Sequence, residues 1–118
     1  MSGDYIIWHN PRCSTSRFVL NALVEAGLDP VVRDYQKDPP SVAELRAAAR
    51  ALGQDAGALL RRKDAPPEIR DLQGDALLAA LAAEPKLIER PLVLTPDGAV
   101  MCRPKEVVYD LVLQGAPD

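Results

Sequence analysis

The chain has 118 residues, of which 47% are hydrophobic and 26% charged, with a formal net charge of −3. That balance belongs to one folded domain rather than a disordered segment, and a net acidic chain lacks the electrostatic footprint of a general nucleic-acid binder. Two cysteines are too few for a disulfide scaffold or a four-cysteine zinc site, and a single histidine excludes multi-histidine metal centres, so no metal is expected.

No apolar run approaches the ~20 residues that span a bilayer. The longest, from Ala76 to Ala83, reads as a buried helix. The opening residues lack the basic start of a signal peptide, so a cytoplasmic location is the expectation. Dinucleotide, P-loop and nucleophile-elbow glycine motifs are all absent, and no repeat of 20 to 50 residues appears. Sulfur is the place left for chemistry.

In chain order, the β-prone run from Tyr5 to Trp8 predicts a first strand. His9-Asn10-Pro11-Arg12 is a turn, because proline breaks the strand. A helix follows from about Cys13 to Ala26, with Val19, Leu23 and Ala26 on one face and Gly27 as its C-terminal cap. Val31 to Tyr35 reads as the second strand. Ser41 with Glu44 forms a capping box that opens a helix to about Leu52, closed by Gly53. Asp55 to Arg62 reads as a short helix, Lys63 to Pro67 as a loop, and Asp75 as the cap of a helix to about Ala83. Residues 41 to 84 are thus expected to be wholly helical. Leu92 to Thr95, a turn at Pro96-Asp97-Gly98, and Ala99 to Cys102 predict a hairpin. Pro104 sits where a last helix could start, with Val107, Val108, Leu111 and Val112 on its apolar face.

The order β-α-β, helical block, β-β-α predicts an α/β domain spanning 1–118. Its mixed four-stranded sheet carries a helical insertion between the second and third strands. This is the layout of a thioredoxin-like domain.

Cys13 follows a strand and a turn and opens a helix. Free backbone N–H groups and the helix dipole there favour the thiolate, which is the nucleophilic form. Arg12 and Arg17 add positive charge. His9 lies on the same turn, and Ser14, Thr15 and Ser16 supply hydroxyls and backbone donors. The same cradle would receive an oxyanion. A redox pair of the C-x-x-C type would need a second cysteine where Ser16 stands, so a dithiol cycle is not expected. Cys102, at a strand end, reads as a structural residue. Ten of the fourteen basic residues are arginine, whose planar fork suits tetrahedral oxyanions. Arg61, Arg90 and Arg103 stand at element ends and form an anion pocket only if the fold gathers them. Pro91, before a strand, is open to either a cis or an ordinary trans bond.

The run from His9 to Arg17, with Ala58 to Arg62, Arg90 to Val93, and Cys102-Arg103-Pro104 followed by Glu106-Val107-Val108, resembles the ArsC-type arsenate reductases that use glutathione and glutaredoxin. The likeness extends from about Tyr5 to Leu113. It implies a thioredoxin-like fold in which the residue matching Cys13 attacks arsenate and forms a thiolate–arsenate ester. Glutathione acts on that adduct as co-substrate, glutaredoxin completes the reduction, and arsenite leaves. The arginines matching Arg61, Arg90 and Arg103 hold the oxyanion, the histidine matching His9 supports the thiolate, and the proline matching Pro91 is cis. Among arginines 61 and 62, the Leu-Leu-Arg match selects Arg61. No bound cofactor, nucleic acid or membrane is expected, and a monomer is the default. Two other functions share parts of this pattern: a general monothiol oxidoreductase acting on glutathione mixed disulfides, and a regulator resembling Spx. The second typically carries the C-x-x-C that this chain lacks.

Overall fold

A computed structural model describes residues 4–115. They form two compact units, one built from the chain up to Asp34 together with the chain from Arg90 onward, the other from Tyr35 to Glu89.

The first unit carries the sheet. Strands β1 (Ile6–His9), β2 (Val31–Asp34), β3 (Leu92–Thr95) and β4 (Gly98–Met101) lie in the order β2-β1-β3-β4. β1 pairs in parallel with β2, bringing His9 opposite Asp34, and antiparallel with β3, bringing Ile7 opposite Val93. β3 and β4 form the expected hairpin, with Thr95 opposite Gly98. The parallel pair needs a crossover, supplied by helix α1 (Ser14–Glu25). Val19 and Leu23 of α1 are fully buried, with Ile7, Val93, Cys102 and Val108 in one apolar cluster. α1 ends in a Schellman motif: Gly27, at φ +78°, donates to Val24 O, and the Leu28 amide donates to Leu23 O. The last helix, α5 (Val107–Gly115), starts three residues beyond Pro104, whose carbonyl accepts the Val107 amide.

The second unit is helical but not wholly so. Helix α2 (Val42–Leu52) begins at the capping box, with Ser41 Oγ accepting from the Glu44 amide and Glu44 Oε1 accepting from the Ser41 amide. It packs on α4 (Gly74–Ala83), burying Leu45, Ala48, Leu77 and Leu81. The expected helix at 55–62 is replaced by 3-10 turns at Ala56–Leu59 and Arg62–Asp64. Between them Leu60 is extended, because it bridges antiparallel to Ile88. The expected loop from Lys63 to Pro67 starts within the second of these turns and ends at Pro67, the first residue of a short helix, α3 (Pro67–Arg70), where a missing N–H costs nothing. Asp75 is not the cap of α4. Gln73 holds that place, and the Asp75 carboxylate accepts from Arg46 at 3.0 Å. Among the described residues no helix is long and apolar enough to cross a membrane.

Candidate active site

β1 ends at His9, and the chain must turn before α1 can begin. Asn10 builds that turn twice over. Its carbonyl accepts the Cys13 amide at 3.0 Å, and its side-chain Oδ1 accepts the Arg12 amide at 2.9 Å. Cys13 then takes the N-cap position of α1 in extended conformation, with φ −95° and ψ 121°. Its thiol sits over the first amides of α1, those of Thr15 and Ser16.

The turn is anchored from beneath. Ser16 is fully buried. Its Oγ lies 2.6 Å from His9 Nδ1 and accepts the Asn10 amide at 3.0 Å. Burial lowers the His9 pKa from 6.5, outweighing the attraction of Asp34, while Arg17 pushes it the same way as burial. The ring is therefore neutral at pH 7, a hydrogen-bonding strut rather than a cation beside the sulfur. Arg17, expected beside the thiolate, has a different place: its Nη1 donates to the Pro11 carbonyl at 2.9 Å, clamping the turn.

The second arm arrives from the far end of the chain. The Cys102 amide donates to Pro91 O, and the Arg103 amide donates to Met101 O. Arg103 then turns back: its Nε donates to the Arg90 carbonyl at 3.2 Å and its Nη2 to Cys13 Sγ at 3.6 Å. The peptides Arg90–Pro91 and Arg103–Pro104 are both cis.

These contacts decide the state of the sulfur. Burial pushes the Cys13 thiol up from 9.0, but hydrogen bonds from Arg103, the Ser16 amide, Arg90 and the Thr15 amide overcome it and bring the pKa to about 7. A large thiolate fraction thus exists at neutral pH, in contact with guanidinium groups that could also hold an oxyanion. Cys102 is the opposite case. It is fully buried in the apolar cluster, and burial pushes its thiol up to about 12.

Of the residues singled out from the sequence, Arg90 and Arg103 engage the Cys13 sulfur. Arg61 belongs to the second unit, is 8% exposed, and is bound there to Asp64 and Glu89; Arg62 is exposed. Sequence reasoning treated Asn10 only as a turn residue, although Asn-Pro is a known turn opener. It missed Asp64 and Glu89 altogether, since nothing local marks a carboxylate as the partner of a distant arginine.

The mixed sheet and its crossover helix define a thioredoxin-like fold, with Cys13 at that helix's start. Residues 8–111 match the model of the ArsC family, and the chain belongs to that family. It is 41% identical over 114 residues to an arsenate reductase of Rhizobium meliloti (strain 1021), covering 90% of this chain and 79% of the relative. It is equally, 41%, identical over 118 residues to the uncharacterized protein YfgD of Escherichia coli (strain K12), covering 95% and 99%. Among solved structures, a putative arsenate reductase from Yersinia pestis superposes with a TM-score of 0.83 at 42% identity, covering 91% of this chain and 99% of that one.

Proposed function

We propose that the protein reduces arsenate to arsenite, with Cys13 as nucleophile and electrons drawn from glutathione and glutaredoxin. The observation that carries this reading is the Cys13 thiol, brought to a pKa of about 7 and touched by Arg103. Membership of a family whose named relatives include arsenate reductases supports the choice of substrate.

The Cys13 thiolate attacks the arsenic of arsenate, and one oxygen leaves as water after protonation. Arsenic remains pentavalent in the resulting ester. Arg90 and Arg103 neutralise the remaining oxygens. The glutathione thiol then displaces a second oxygen of the adduct, which leaves as water, and the arsenic, still pentavalent, carries two sulfurs. A glutaredoxin thiol then takes the glutathione sulfur as a mixed disulfide, so two thiols are oxidised to one disulfide and arsenic gains two electrons. Hydrolysis of the sulfur–arsenic bond frees arsenite and Cys13. The scheme needs no second thiol in this chain, in keeping with Ser16 at the fourth position and with the buried Cys102. The cytoplasm, where glutathione is kept reduced, suits such a cycle.

The test is arsenite production with glutathione and glutaredoxin both present, then with each omitted, for the parent and for Cys13→Ser. Activity is expected only with both donors and only with Cys13. Full turnover by Cys13→Ser would reject the mechanism. Turnover of a glutathionylated substrate without turnover of arsenate would favour the general monothiol oxidoreductase instead. Arg103→Ala is expected to cost roughly a hundredfold in turnover, as for loss of one donor to a developing oxyanion.

A further inference from the structure

We infer that a cleft in the second unit binds a small amino dicarboxylate, a molecule with two carboxylates and one ammonium, through Arg62, Arg70 and Asp71. Every residue of this cleft lies between Asp55 and Gly74, so the inference is independent of the arsenate reading.

Three local folds bring the side chains to one opening. Asp55 caps the first 3-10 turn, Arg62 opens the second, and Arg70 and Asp71 end α3. With Gly57 and Leu72 they line a cavity of about 530 Å³, a volume within the usual range for small-molecule sites. The Asp55 carboxylate is already engaged, since its Oδ1 accepts the Gly57 amide at 3.0 Å. The other three charges are not. Among the described residues, the side chains of Arg62, Arg70 and Asp71 make no hydrogen bond or ion pair, whereas Arg46 and Arg61 of the same unit each hold a carboxylate.

The signs of these charges select the ligand. A simple anion meets two guanidiniums but also two carboxylates, and the four charges cancel, so the cleft does not concentrate anions by its field. A ligand that carries both signs satisfies each open group. Each guanidinium takes one carboxylate through its planar fork, and Asp71 takes the ammonium. A free acidic amino acid and a γ-glutamyl peptide both present these groups. Arg62, Arg70 and Asp71 are exposed, which limits what each ion pair contributes and sets the expected Kd in the millimolar range.

The test is an amide chemical-shift titration of the full chain with three probes. They are L-glutamate, S-methylglutathione, whose blocked sulfur cannot react at Cys13, and glutarate, which lacks the ammonium. L-Glutamate or S-methylglutathione is expected to give saturable shifts at Gly57 and Leu72, and the tighter of the two identifies the source. Glutarate is expected to bind about fivefold more weakly, and Asp71→Asn to remove that difference. Arg62→Ala and Arg70→Ala are each expected to weaken binding about fivefold. Their unfolding midpoints should match the parent's, because both side chains are exposed and unpaired. Cys13→Ser should leave binding unchanged. The inference is overturned if neither amino compound shifts the cleft residues saturably, if glutarate binds the parent equally well, or if affinity is unaltered in both arginine variants.

Discussion

Ser16 stands where a dithiol enzyme of this fold would carry its second sulfur, and its side chain does a different job. The buried hydroxyl ties the His9 ring to the Asn10 amide, while the backbone N–H of the same residue helps to hold the Cys13 thiolate. Ser16→Ala should therefore separate scaffold from electrostatics. It removes partners from two buried groups and is expected to cost about 1–3 kcal/mol in urea unfolding, yet it keeps the amide beside the sulfur. The arginines separate in the same way. Arg103→Ala should raise the thiol pKa, whereas Arg17→Ala should leave it in place, because Arg17 donates to the Pro11 carbonyl and not to the sulfur. The pH dependence of alkylation by iodoacetamide reads both. The sequence made the thiolate legible, because a cysteine between a proline turn and a helix faces free amides wherever that pattern folds. It could not tell which arginine touches sulfur. That depends on Arg103 reaching back to the Arg90 carbonyl across the chain.

Elements whose signals are local are legible in the sequence, and those set by distant pairing are not. The Ser41–Glu44 capping box and the left-handed glycines at positions 27 and 53 end their helices where the pattern places them. Ser41→Ala is expected to cost about 1 kcal/mol, measured by thermal or urea unfolding. The alanines and leucines of the stretch from 55 to 62 favour helix. The Leu60–Ile88 bridge overrides that propensity, and no spacing within the segment announces a partner 28 residues on. Asp75 has the side chain of a strong capping residue. In the fold it lies inside the first turn and pairs with Arg46 instead.

For the molecule as a whole, the two cysteines give stability opposite dependences on pH. The Cys13 pKa is depressed from 9.0 to about 7, so its contribution is fully present above pH 9 and is lost as pH falls through 7. The Cys102 pKa is raised to about 12, so its contribution is present below 9 and is lost as pH rises toward 12. Unfolding free energy is thus expected to rise from pH 7 to 9 by about 1–2 kcal/mol from Cys13, allowing for partial exposure. Above pH 9 it should decline. Cys13→Ser should remove the rise, and Cys102→Ala should reduce the decline. A flat profile in the parent protein would contradict both assignments.

The proposed chemistry depends on Cys13 being ionised at neutral pH. The direct measurement is the rate of Cys13 alkylation as a function of pH in the folded parent protein, where buried Cys102 does not react. A single transition near pH 7 is the expected result. A transition near 9, the ordinary value for a thiol, would mean that Arg103, Arg90 and the helix amides do not stabilise the thiolate, and would contradict that chemistry.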